Sequence, residues 1–245
     1  MINTYYSASR IGELLAEGTG KTAQSYCLDL ALQSIGIKDE FETIAMRHGT
    51  VNQHNAFELI VKPKFPTSIW FDGWMPINDK CGSSPDVLID GMPLDVKCPF
   101  HVDNYFEQIN RPPKKYYYQV QMQMMSTLAD VGFLMFYLTK PESFGEENWQ
   151  EYPISIDERH CIFEFKKDQQ IHDLILEKVD EWHPKKQMLI DMLLAAEQMD
   201  IITFFEMQKV NYSFRELKNA SNLFSIDRFY KCENKFYYIK KKVKQ

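Results

Sequence analysis

Cysteine is sparse and scattered: five thiols, at positions 27, 81, 98, 161 and 232, with no Cys-x-x-Cys pair among them. That spacing signals neither a structural zinc site nor a thiolate-bound iron–sulfur cluster, and an odd count does not describe a disulfide framework. Long apolar runs are missing too. The longest, such as 131–138, fall far short of the roughly 20 residues that span a bilayer. The opening Met1-Ile2-Asn3-Thr4 lacks the basic and apolar regions of a secretory leader, so a cytoplasmic protein is expected, in a bacterial host if phage-encoded. There is no internal repeat and no low-complexity linker. A main domain over residues 1–200 with an elaboration over 201–245 is the simplest organisation. Positive charge is not in excess either, the net formal charge being −6. This does not exclude a nucleic-acid partner, because phosphate affinity depends on where the cations sit. Lys235, Lys240, Lys241, Lys242 and Lys244 make the last eleven residues locally basic, as a solvated tail or as a contact to DNA or a partner.

What is present is ordinary for a globular chain: 44% hydrophobic, 25% charged, and enough aromatics (14%) to fill a core without disulfides. Apolar spacing predicts helices over 10–18 and 22–32, separated by Gly18-Thr19-Gly20. A long amphipathic helix is expected over 41–61, with Phe41, Ile44, Met46, Phe57 and Ile60 on its apolar side. Gly49 weakens its middle, and Pro63 and Pro66 end it. Residues 69–74 read as a short strand and the stretch to Ser84 as a polar loop. Proline and asparagine mark a loop over 99–113. A Gln- and Met-rich helix follows over 116–129, its methionines read as core packing, then buried strands over 132–138 and 152–156. A last helix is expected over 172–199, broken or bent at Pro184.

The chemistry concentrates on 86–98, which reads as a hairpin. Residues 87–89 and 94–98 flank Asp90-Gly91, a dipeptide suited to the positive backbone angles of a two-residue turn. Side chains two apart on a strand share a face. Asp95 and Lys97 therefore project together while Leu94, Val96 and Cys98 enter the core, and the turn brings Asp86 alongside Asp95. Two carboxylates and a lysine on one exposed face are costly unless a cation or phosphate joins them. Mg²⁺, a hard cation that takes carboxylate oxygens and keeps waters, suits such a set, and Mn²⁺ substitutes readily. Alone, Asp…Asp-x-Lys is a weak signal and far more often the pattern of a salt-bridged surface hairpin.

The surrounding residues narrow the choice. Ser84-Pro85-Asp86, the hairpin, and Asp95-Val96-Lys97-Cys98-Pro99 together resemble the active-site signature of the phage lambda exonuclease family, the YqaJ-type viral recombinases, within the PD-(D/E)xK nuclease superfamily. Gln119-Val120-Gln121 resembles that family's Gln-x-Gln helix and 132–137 its following strand. Ser7-Ala8-Ser9 resembles its Thr-Ala-Ser segment, and Arg47-His48-Gly49 through Ala56 its Gly…Glu…Ala helix. The matches run in order from about residue 5 to 185.

The resemblance implies an α/β (α+β) restriction-endonuclease-like core, a central mixed sheet flanked by helices. It implies a Mg²⁺-dependent exonuclease that digests linear duplex DNA 5′ to 3′ and leaves 3′ overhangs. It further implies a homotrimer that works with a single-strand annealing protein. Carried onto this sequence, Asp86, Asp95 and the Val96 carbonyl become metal ligands and Lys97 the catalytic lysine. Gln119 lies beside Lys97, and Ser9 and Ser84 hold the 5′-phosphate. Hydroxyls and amides at a helix start suit that last task, although Ser9 reads equally as an ordinary helix cap.

Two departures stand out. The family's helix supplies a glutamate to the metal where this chain has Gln53, which offers an amide oxygen but no charge. Glu58 lies about 140° around the helix from it, and Glu42 about 16 Å along the axis. A weaker or single-metal site, an inactivating change, a DNA-end-binding or assembly homologue without catalysis, and a one-residue slip in the match all remain open. The family's arginine ahead of Thr-Ala-Ser has no counterpart, and Arg10 is the candidate replacement. Gly18-Thr19-Gly20-Lys21-Thr22 evokes a phosphate-binding loop, but the first glycine of that motif would fall at Leu15 and no strand precedes it. The histidines have no metal-ligand spacing, though His54 and His101 are placed to lie near the site. Arg111, Lys114 and Lys115 read equally as a solvated loop or as phosphate contacts.

Overall fold

The computed structural model describes residues 4–18, 20–37, 42–139 and 155–194, with the strand segments 197–198, 211–212, 226–232 and 235–240. In chain order, strand β1 (Tyr6–Ser7) and a 3-10 turn (Ala8–Arg10) precede helices α1 (Ile11–Leu14), α2 (Lys21–Ser34) and α3 (Ile44–Ala56). A π turn (Phe57–Val61) leads into α4 (Lys62–Lys64). Strands β2 (Ile69–Trp70), β3 (Met75–Pro76), β4 (Cys81–Ser83), β5 (Val87–Ile89) and β6 (Met92–Lys97) follow. Then come α5 (Val102–Asn110), α6 (Lys114–Thr127), β7 (Val131–Tyr137), a 3-10 turn (Ile156–Arg159), β8 (His160–Lys166) and α7 (Gln169–Leu194). Four strands end the chain: β9 (Glu197–Gln198), β10 (Asn211–Tyr212), β11 (Ile226–Cys232) and β12 (Lys235–Lys240).

The chain divides into two units, one made of residues 1–6, 13–39 and 176–245, the other of 7–12 and 40–175. The second unit is built on a five-stranded mixed sheet in the order β2-β5-β6-β7-β8. Its hairpin pairs Val87 with Leu94 and Ile89 with Met92 around Asp90 and Gly91. Those two residues take φ of 51° and 85°, the positive angles a two-residue hairpin needs. β6 and β7 run parallel, an arrangement that requires a crossover, and α5 and α6 supply it. Alternation then sorts β7 into two faces. Phe133, Met135 and Tyr137 join Leu94, Val96, Ala56, Phe57 and Ile60 in one core cluster. Leu134 and Phe136 join Tyr105, Val120 and Met124 in the other. The sheet is thus covered by α3 on one face and by α5 and α6 on the other.

The first unit carries α2, buried on almost every side from Ala23 to Ser34, the mark of an interior helix rather than an amphipathic one. Tyr6 meets Tyr26 edge to face at 5.6 Å, and Lys186 Nζ donates to the Thr4 carbonyl at 2.7 Å. Strands β9 to β12 form a separate sheet in the order β10-β12-β11-β9.

Several expectations change. The segment 99–113 is not a loop throughout, since α5 occupies Val102–Asn110. Its apolar residues Val102, Tyr105, Phe106 and Ile109 recur at helical spacing, with proline confined to the flanks. The first helix is shorter than 10–18, ending at Leu14. Ile44 and Met46 are not core residues but 62% and 56% exposed, whereas Phe57 and Ile60 are buried. Gly49 does not break α3, and Pro63 does not stop the helix, because it falls in the first turn of α4 where no amide donor is needed. The expected strand at 69–74 closes at Trp70, and the polar stretch after it contains β3 and β4, paired antiparallel. α7 runs through Pro184 without interruption. Ile156 opens a turn capped by Ser155, not a strand. Phe41, residues 152–154 and Lys241, Lys242 and Lys244 lie outside the described residues, as does most of the elaboration over 201–245.

Candidate active site

Asp86 sits one residue before β5, and the hairpin folds its carboxylate back onto β6. Its Oδ2 accepts the Val96 amide at 2.7 Å. Asp95 and Lys97 lie on one face of β6, with Lys97 Nζ 2.7 Å from Asp95 Oδ2. That face is not solvated as the sequence suggested: Asp95 is 2% exposed and the Lys97 side chain 21%. Burial, and then the neighbouring Asp95 charge, push the Asp86 carboxyl up to about 7. For Lys97 burial acts downward, but the charges of Asp95 and Asp86 outweigh it and the ammonium is held above its usual range.

Helix α6 fixes Asp95. Gln119 Nε2 donates to Asp95 Oδ1 at 2.5 Å and Gln123 Nε2 to the same oxygen at 3.0 Å. Gln119 thus bonds one oxygen of the carboxylate whose other oxygen pairs with Lys97. Gln123 was missed by sequence reasoning, although its signal was available, since residues four apart share a helix face. Gln121 looks elsewhere. It bonds the Lys166 carbonyl at 2.8 Å and the Asp168 amide at 2.9 Å, pinning the end of β8. Of the Gln-x-Gln pair, one residue thus serves the site and the other the sheet.

Gln53 reaches the same place from α3. Its Nε2 donates to the Val96 carbonyl at 2.9 Å and to Asp86 Oδ2 at 3.2 Å. The neighbouring acids do not join it. Glu58 lies 3.9 Å from His54, and Glu42 pairs with Arg47 at 3.2 Å.

Above these groups opens a cleft of about 650 Å³, lined among others by Ser9, Gly49, Gln53, Lys97, Asn104 and Tyr116. Lys97 Nζ and Lys115 Nζ lie 5.1 and 4.9 Å from the Tyr116 ring centroid, so two cations share one aromatic. Ser9 is on the cleft wall and exposed, its hydroxyl 3.1 Å from that of Ser7. Ser84 and Arg10 are not among the cleft residues, and the Ser84 hydroxyl donates to the Gly73 carbonyl. His54 packs on Trp70 at 5.1 Å, and His101 precedes the first turn of α5.

The donor set suits a hard divalent cation. Asp86 and Asp95 supply two carboxylates, and no third histidine, cysteine or acid joins them among the described residues. Asp95 Oδ2 is buried and accepts no well-angled hydrogen bond, leaving it to charge partners. Val96 adds a carbonyl oxygen. Such an all-oxygen set leaves coordination positions for water, as Mg²⁺ prefers.

Fold and site together define a PD-(D/E)xK-type nuclease fold: a mixed sheet between helices, with Asp86 and Asp95-Val96-Lys97 on its central hairpin. The YqaJ-like viral recombinase domain matches residues 2–130, more than half of the chain, and the protein belongs to that family. No curated protein matches the sequence. Among solved structures, the alkaline exonuclease LHK-Exo from Laribacter hongkongensis is 21% identical with a TM-score of 0.62, over 77% of this chain and 91% of that one. The same enzyme in complex with dAMP aligns equally well, over 78% and 91%. A phage-related exonuclease from Haemophilus somnus 129PT is 16% identical with a TM-score of 0.64, over 79% and 96%. These likenesses establish the fold. Among the described residues no helix is long and apolar enough to cross a membrane.

Proposed function

We propose that this protein is a metal-dependent exonuclease on linear duplex DNA, working 5′ to 3′ and leaving 3′ overhangs. The observation that carries this reading is the convergence of Asp86, Asp95, Lys97 and Val96 on one hairpin, with Val96 and Lys97 lining an open cleft. Asp86, Asp95 and the Val96 carbonyl hold Mg²⁺ or Mn²⁺, which supplies a polarised water and offsets charge on the scissile phosphate. Lys97 presents its ammonium to that phosphate and aligns the attacking water. Gln119, bonded to Asp95 Oδ1, keeps that carboxylate's other oxygen turned toward the lysine. Ser9 on the cleft wall engages the 5′-terminal phosphate, and Lys115 and Arg111 accompany the strand, whereas Ser84 and Arg10 do not line this cleft and take no part in that contact. Assembly as a homotrimer, work alongside a single-strand annealing protein, and a cytoplasmic setting belong to this reading through the family.

The test is hydrolysis of a 5′-phosphorylated linear duplex, each strand labelled in turn, with Mg²⁺ or Mn²⁺. Label loss from the 5′ end is expected, and Lys97→Ala lowers the rate about 10²- to 10⁴-fold with the circular dichroism unchanged. Complete absence of hydrolysis in the unmodified protein overturns the reading. It would favour the second one, a disabled DNA-end-binding homologue, for which the hydrogen bonds of Gln53 into the site speak.

A further inference from the structure

Gln53 makes two contacts, both to oxygens that the reading above gives to the metal: the Val96 carbonyl at 2.9 Å and Asp86 Oδ2 at 3.2 Å. A peptide carbonyl is an acceptor only, so the end of the side-chain amide that faces it is the NH₂ donor. The Nε2 amino group thus donates to two oxygens that would be ligands of a bound cation. It satisfies the Val96 carbonyl and moderates the buried Asp86 charge beside Asp95, both tasks of an ion. Its donor hydrogens and a divalent cation repel one another and compete for these oxygens, so the two hydrogen bonds oppose the ion's entry.

We propose that Gln53 is a stand-in for the metal ion, a hydrogen-bonded plug that holds the site together in the metal-free protein and must be displaced for the ion to bind. The inference rests on the reading of this cluster as a divalent-cation centre. A glutamate at this position would add a third carboxylate to Asp86 and Asp95, making the empty site repulsive and the loaded one tight. Glutamine inverts both terms. The empty site is stable, and the ion competes with two hydrogen bonds that are lost when it enters. The consequence is a site that loads only at higher divalent concentration, with Gln53 setting the threshold.

Three variants of the full chain, Gln53→Ala, Gln53→Met and Gln53→Glu, are compared with the unmodified protein by calorimetric titration with Mn²⁺ alone and by thermal melting with and without it. Removal of the plug is expected to lower the metal-free melting temperature. It is also expected to tighten Mn²⁺ binding severalfold in Gln53→Ala and in Gln53→Met, which conserves side-chain volume and decides the matter if the alanine variant does not fold. Gln53→Glu is expected to bind Mn²⁺ about tenfold more tightly or better, since a charged oxygen ligand replaces a competing donor. Mn²⁺ binding that is unchanged or weakened in both Gln53→Ala and Gln53→Met overturns the plug, and weakened binding makes Gln53 an ordinary ligand through Oε1. Absence of Mn²⁺ binding in every protein, Gln53→Glu included, overturns the cation centre itself and the plug with it.

Discussion

Side-chain amides, not additional charges, organise this site. Asp95 is buried beside a second carboxylate, and what holds it is a pair of donors on one face of α6, Gln119 and Gln123, both on Oδ1. Two donors on one oxygen fix the rotation of the carboxylate and leave Oδ2 facing Lys97. Gln123 performs this at a cost, because its own Oε1 is buried without a partner among the described residues, and an unsatisfied buried acceptor costs about 1–3 kcal/mol. Gln123→Leu, which keeps the volume and removes the stranded oxygen, should therefore separate stability from function. The urea midpoint is expected to hold or rise, while cleavage falls about 10- to 100-fold, the usual size for a group that orients a metal ligand. The loss should come with a higher Mn²⁺ concentration for half-maximal activity, which a general loosening of the fold would not produce selectively. Unchanged kinetics in this variant would mean that Gln119 alone positions Asp95.

At the scale of elements, the parts legible in the sequence were those whose local and tertiary signals agree. The hairpin is the best case. Asp90-Gly91 demands positive φ, the alternation of Leu94, Asp95, Val96 and Lys97 assigns faces, and the structure realises both. α5 was obscured because prolines and asparagines at its borders look like loop composition, while its helical apolar spacing spans only nine residues. The exposure of Ile44 and Met46 was not legible either. Apolarity says that a residue is able to be buried, not that a neighbour arrives to bury it. The Gln-x-Gln pattern gave the right helix, yet only the register of α6 shows that Gln119 and Gln123 face β6 while Gln121 faces β8. That register depends on Gly132. A Cβ there would meet Val120 Cγ1 and Met124 Cγ at 2.8 Å each, and the branched valine has little room to yield. Gly132→Ala is expected to cost about 1–3 kcal/mol, the usual range for overpacking, as read by urea unfolding. By pushing α6 off the sheet it should also reduce cleavage, whereas a variant with native stability and activity would show that α6 adjusts freely over β7.

The unit that carries the site is held together by more than its sheet, and His48 gives that cohesion a pH dependence. This buried histidine of α3 places Nε2 2.9 Å from the Thr139 hydroxyl just past β7, and Nδ1 3.4 Å from the Asn52 amide. The neutral ring with hydrogen on Nε2 satisfies both contacts, donating to Thr139 and accepting from Asn52. A second proton on Nδ1 would confront the amide NH₂. Burial accordingly lowers the pKa of His48 below its usual value. The unfolded chain, with an ordinary value of about 6.5, then binds the proton more readily than the folded one, and stability rises with pH across that window. The contribution is complete above about 6.5 and is lost as pH falls through the folded value. His172 is shifted the same way by its own burial, so substitution of His48 should remove part of the dependence and not all of it. Asp86, raised to about 7 by burial, pulls the other way over the same range, so the quantity to read is the difference between two slopes of urea midpoint against pH 5, 6, 7 and 8. Relative to His48→Gln, which keeps a donor and an acceptor but cannot titrate, the unmodified protein is expected to gain stability as pH rises. An identical slope in the two proteins would place the titration elsewhere and leave the His48–Thr139 bond as a purely neutral tie.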